Sequence, residues 1–117
     1  MKIPVNQFFQ LLSDETRLRC LVLMQQQGEL CVCELTHALG QIQPKISRHL
    51  ATLRDAGVVA DRRQGQWIYY RIHPDLSPWA RGVIENTAAE VSDCLPFSQD
   101  LAALLSMPDR PAKVCCA

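Results

Sequence analysis

The chain has 117 residues and a mass of 13.2 kDa, which is room for one domain with one core. Hydrophobic residues make up 48% and charged residues 21%, a composition that excludes a disordered chain. Basic and acidic residues balance at 12 each, and no apolar run is longer than that at residues 20–24, which falls far short of the roughly 20 residues a membrane helix needs.

Val5, Phe8, Phe9 and Leu12 recur at i, i+3, i+4 and i+7, which predicts a first helix. Ser13 is the candidate cap of a second, with Asp14 and Glu15 at the favourable end of its dipole. Leu18, Leu21 and Val22 carry that helix to Gly28, and Cys20 within it reads as buried packing. A third, short helix sets Val32, Leu35 and Leu39 on one face and ends at Gly40. Pro44 then suits the first turn of a fourth, where its missing N–H costs nothing. Ile46, Leu50 and Leu53 form the inner face of this helix, with Lys45, Arg48, Thr52 and Asp55 opposite, and Gly57 ends it.

Residues 58–63 and 66–72 read as a hairpin around Gln64-Gly65. Ser77-Pro78 opens a long amphipathic helix through Ala80, Ile84, Ala88 and Val91, which Pro96 interrupts. Leu101, Leu104 and Leu105 make a short apolar patch. Pro108, Pro111 and the vicinal Cys115-Cys116 suggest a flexible end. The fold expected is mainly α with a small β-hairpin, an α+β winged helix-turn-helix.

The neutral total hides a pattern. Residues 41–73 carry Lys45, Arg48, Arg54, Arg62, Arg63 and Arg71 against Asp55 and Asp61, a surplus of four, while both flanks are acidic. A short helix, a turn with glycine and a second helix with a basic outer face make a helix-turn-helix, and the hairpin supplies a wing. The second helix of such a layout enters the major groove of duplex DNA. Gln43, Lys45, Ser47, Arg48 and His49 lie where base edges are reached, since Arg and Lys can bond guanine and Gln adenine. Arg62, Arg63 and Gln66 on the wing are candidates for phosphate or minor-groove contact.

Six cysteines occur: Cys20, Cys31, Cys33, Cys94, Cys115 and Cys116. No secretory signal is visible, so a reducing cytoplasm is expected, where clustered cysteines more often mean metal binding or redox chemistry than disulfides. Cys31 and Cys33 stand at the predicted start of the third helix. Thiolates suit soft ions, and a helix start is expected to favour the thiolate. Residues at i and i+2 do not share a face of a regular helix. One ion held by both sulfurs therefore needs that start unwound, or unwinds it.

Three blocks in order, ELCVCEL at 29–35, QPKISRHL at 43–50 and DRRQGQWIYYR at 61–71, closely resemble the arsenic-responsive repressors of the ArsR/SmtB family over about residues 5–93. The resemblance implies a homodimer with the first and last long helices at its interface. It implies a double-stranded operator before arsenic-resistance genes, released when trivalent arsenic or antimony binds Cys31 and Cys33. On this basis residues 1–95 form the DNA-binding and dimerisation domain and 96–117 a C-terminal extension. One departure stands out. Repressors of this type carry a third cysteine three residues after the second, and here that position is Thr36. Two protein sulfurs with solvent or a small thiol as third ligand is the reading favoured. A sulfur from Cys115 or Cys116, or an organoarsenical with two open positions, are the alternatives. The long helix lacks the His ligands of zinc-sensing relatives, and no enzyme motif appears. A thiol redox switch and a metallochaperone remain as rivals.

Overall fold

The computed structural model describes residues 3–110, so Cys115 and Cys116 lie outside the described residues. In chain order it contains α1 (Val5–Leu12), α2 (Glu15–Gln27), β1 (Leu30–Cys31), α3 (Val32–Leu39), α4 (Gln43–Asp55), β2 (Val59–Gln64), β3 (Trp67–Ile72), α5 (Pro78–Val91) and α6 (Phe97–Leu105).

The apolar run at 20–24 explains the centre of the fold. Cys20, Leu21, Val22, Leu23 and Met24 are all buried, so α2 is covered on every side and α1, α3, α4, α5 and α6 pack around it. Cys20 fills core space, and its burial pushes the thiol up to about 12. Asp14, not Ser13, caps α2: its carboxylate accepts the Arg17 N–H at 3.1 Å, while Ser13 closes α1. A carboxylate at the N-terminal dipole is the better cap of the two neighbours.

Gly40 ends α3 in the left-handed region (φ 66°), which a residue with a Cβ adopts only at a cost. Ile46, Leu50 and Leu53 of α4 are fully buried against this support, as their spacing predicts. Each such side chain contributes about 1.5–3 kcal/mol of burial, which fixes the outer, basic face of α4 toward solvent.

The hairpin differs from the sequence expectation by one residue. Gln64 pairs with Trp67, so the turn is Gly65-Gln66, with the positive φ (60°) at the first turn position. Glycine first is the signature of a type II′ turn, which follows the strand twist. The sequence gives no sign of β1. Leu30 and Cys31 pair with Tyr70 and Tyr69 and make the wing a three-stranded sheet of order β1-β3-β2. α6 packs on α3 and α2, with Leu104 in the core.

Candidate functional site

Cys31 and Cys33 come together because Cys31 stands outside the helix. Its extended backbone (φ −77°, ψ 152°) closes β1 and caps α3. The Cys33 thiol donates to Cys31 Sγ at 3.3 Å. The sulfurs are thus adjacent with α3 intact, and the unwinding that a regular helix would demand on ligand capture is not required. The expectation of a lowered thiol pKa is also corrected at Cys33. Burial, the bond to Cys31 and the neighbouring Glu34 charge push the Cys33 thiol up to about 12. Desolvation of a thiolate outweighs the pull of the helix start.

Glu34 holds the pair from below. Its Oε1 accepts the Cys31 N–H at 2.8 Å, the acidic half of a capping box. Its Oε2 accepts Arg110 Nε at 2.6 Å, and both side chains are buried, Glu34 completely. Neither residue was singled out from sequence. The Cys-x-x-Glu spacing of a capping box was a legible signal for Glu34; nothing local marks Arg110.

The sulfur pair opens onto a cleft of about 690 Å³. Cys31 lines it from the end of β1, Cys33 and Thr36 from α3, Gln43 and Ser47 from α4, and Gln66 and Trp67 from the wing. Thr36 spends its hydroxyl on the Val32 carbonyl at 2.9 Å. Exposed His37 also lines the cleft. Among the described residues no three His, Cys, Asp or Glu side chains converge on a metal position. The site therefore offers two sulfurs, mainly apolar cleft walls with a few polar groups, and space.

The nucleic-acid candidates divide into three groups. Gln43, Ser47 and Gln66 meet around the same cleft, with Gln43 Nε2 donating to Ser47 Oγ at 2.7 Å. Arg48 and Arg63 are exposed and Lys45 half-buried; with Arg71 they form no ion pair among the described residues. The remaining two are engaged internally. The His49 ring is 13% exposed and lies 3.3 Å from Arg17 and 3.9 Å from Asp14, so it ties α4 to α2, and burial lowers its pKa. Arg62 donates to both Glu29 oxygens at 2.9 Å and stacks on Tyr69, 4.6 Å from the ring centre. Tyr69 and Tyr70 are buried wing packing.

Away from the cleft, α1 and α5 share an apolar face. Trp79 packs edge-on to Phe8 at 5.1 Å, yet Trp79, Phe9 and Val5 remain 41%, 49% and 56% exposed.

Known proteins show the same arrangement of sequence and fold. A model of the arsR family of bacterial regulatory proteins matches residues 14–61. The chain is 49% identical over 110 residues to the arsenic resistance transcriptional regulator ArsR1 of Pseudomonas putida, covering 93% of this chain and 84% of that one. It is 53% identical over 83 residues to the arsenical resistance operon repressor of Escherichia coli, covering 71% and 70%. The antimony-specific transcriptional repressor AntR has a similar structure, with a TM-score of 0.65 and 30% identity, over 76% of this chain and 78% of that one. So does the homodimeric winged helix-turn-helix domain of a possible ArsR-family regulator from Mycobacterium bovis, with a TM-score of 0.60 and 25% identity, over 78% and 81%.

Proposed function

The chain belongs to the arsR family of bacterial regulatory proteins, and we propose that it represses an arsenic-resistance operon through an inducer site made by Cys31 and Cys33. It is a metalloid-responsive transcriptional repressor with a winged helix-turn-helix. The observation that carries the site is the sulfur pair, 3.3 Å apart, facing a cleft whose other walls are the reading helix and the wing.

The spacing suits a trivalent metalloid. With a bond of about 2.3 Å from a soft centre to each sulfur, as for zinc, a 3.3 Å separation subtends about 90° at the centre. That is narrower than a tetrahedral angle and close to the angles of a pyramidal centre carrying a lone pair. Each thiol of the pair condenses with one hydroxyl of arsenous acid: two S–As bonds form, two As–O bonds break, and two waters leave with the thiol protons. One hydroxyl stays on arsenic as the third ligand, and no oxidation state changes. The neutral Cys33 thiol fits this reaction, because its proton leaves within the water formed.

Release of DNA follows from where Cys31 sits. It belongs at once to the wing sheet and to the first turn of α3. A ligand seated there changes the spacing between α3, α4 and the wing and depopulates the arrangement that fits the groove. A 100-fold loss of operator affinity needs about 2.7 kcal/mol of coupling, within the usual range. Gln43, Lys45, Ser47 and Arg48 read base edges, and Arg62, Arg63 and Gln66 bind the backbone or minor groove. His49 contributes by seating α4.

The exposed α1/α5 face around Phe9 and Trp79 is where a second copy completes the homodimer. The repressor acts in the cytoplasm, on double-stranded operator DNA; among the described residues no helix is long and apolar enough to cross a membrane.

A mobility titration of operator DNA with arsenite, antimonite, zinc and oxidant tests the function. Arsenite and antimonite are expected to release wild-type protein, while Cys31→Ser and Cys33→Ser keep operator binding and lose the response. Normal induction of both variants would place the sensor elsewhere. Release by oxidant alone would instead make the pair a redox switch.

A further inference from the structure

Two buried ion pairs tie the C-terminal segment to the body of the protein. The first joins Asp100 of α6 to Arg19 of α2 by bonds of 2.8 and 2.7 Å, with Asp100 only 2% exposed. That pair and the buried Leu104 anchor α6 on the body. The second joins Arg110 to Glu34, residues 76 positions apart, at 7% and 0% exposure. Burying a second charge pair carries a desolvation cost that apolar neighbours would not, so it is weak as an account of stability alone. Its place is the informative feature. Glu34 gives one oxygen to Arg110 and the other to the N–H of Cys31, whose sulfur lies 3.3 Å from that of Cys33.

We infer that Arg110 is a positioning residue for the inducer pair, acting through Glu34. The proposal rests on the reading of Cys31 and Cys33 as the inducer site and adds its control by the C-terminal segment. The guanidinium fixes the Glu34 carboxylate, the carboxylate fixes the Cys31 backbone at the mouth of α3, and the two sulfurs are held ready for one ligand. Without Arg110, Glu34 is a buried, uncompensated anion. It then relaxes toward water, and Cys31 loses its fixed register against Cys33. Outer-shell groups that orient metal ligands in this way typically account for about 10–100-fold in affinity.

The test is direct arsenite binding to the full-length, DNA-free repressor, followed by the near-ultraviolet absorption of the arsenic–sulfur bonds, beside operator affinity without arsenite. Arg110→Ala is expected to weaken arsenite binding about tenfold or more with operator affinity unchanged, and Arg110→Lys to recover part of the loss. Leu104→Ala separates positioning from docking: it lowers thermal stability and leaves arsenite affinity at the wild-type value. If Arg110→Ala does not fold, the double variant Glu34→Gln/Arg110→Gln, which leaves no buried charge unpaired, carries the same expectation. Wild-type arsenite affinity in folded Arg110→Ala or in the double variant would overturn the proposal, as would equal weakening in Leu104→Ala. Undiminished binding by Cys33→Ser would overturn the inducer site itself, whatever Arg110 does.

Discussion

The front of α3 and the front of α4 start from nearly the same backbone. Cys31 enters its helix at φ −77°, ψ 152° and Ile42 at φ −71°, ψ 147°. Their surroundings are opposite. Cys31 is 2% exposed, joined to a sheet and closed by a capping box, with the buried Glu34 charge cancelled by Arg110. Ile42 is 69% exposed and gives no side-chain cap, and the turns it opens carry Lys45 and Arg48. One start is a dry, electrically balanced pocket rim suited to a small neutral molecule. The other is a wet, basic surface suited to a polyanion. The local fold is shared, and burial and charge decide which ligand each can take.

Salt is the strongest way to break this contrast. If about half of the six basic residues at 41–73 touch phosphate, a dimer neutralises around 6 phosphates, and operator affinity falls about 10³-fold between 50 and 200 mM salt. Arsenite binding to free protein stays level over the same range. A flat operator response would contradict the basic footprint. Arg48→Ala sharpens the contrast from the reading side. Loss of one base contact of about 1–3 kcal/mol weakens operator binding roughly 5–150-fold, seen by fluorescence anisotropy, with arsenite uptake unaltered. An arsenite affinity that moved with it would merge the two sites.

Acidity gives the smaller effects. Two neutral reactants losing water make arsenite binding level between about pH 6 and 8, whereas a divalent cation displacing thiol protons binds more tightly as pH rises. A steep arsenite profile, measured by the same absorption, would contradict the condensation. On the stability side, burial raises the Cys20 thiol from 9.0 in the open chain to about 12 in the fold. A group shifted upward on folding contributes stability that is full below pH 9 and lost as pH rises toward 12. Thermal melting is therefore expected to decline across that window in wild type and less in Cys20→Ala. Parallel declines would assign the alkaline loss to other groups.

Much of the fold was legible because burial period and stop residues agree. Ile46, Leu50 and Leu53, Gly40 and Pro44 each announce their role locally. What escaped the sequence depends on partners far along the chain. The two-residue strand Leu30–Cys31 exists only because Tyr69 and Tyr70 pair with it. That pairing moves Cys31 out of the helix and resolves the spacing conflict between the two sulfurs. The hairpin slipped by one residue because Gly65 fits either turn position by propensity, and the strand register decides. The sulfur pair was visible as a motif. The raised pKa of Cys33 was not, since that reflects burial rather than helix position. The internal partners of two reading-surface residues were equally invisible: Asp14 and Arg17 lie against His49, and Glu29 against Arg62, all from distant parts of the chain.

Linkage gives the most direct measurement of the central claim. If the sulfur pair and the groove-reading helix are coupled, operator DNA must weaken arsenite binding by the same factor by which arsenite weakens operator binding. The arsenite isotherm is therefore to be measured by equilibrium dialysis with and without saturating operator at fixed salt. An affinity about 100-fold lower in the presence of operator is the predicted result. Superimposable isotherms would contradict the account, because a ligand with equal affinity for both states shifts neither.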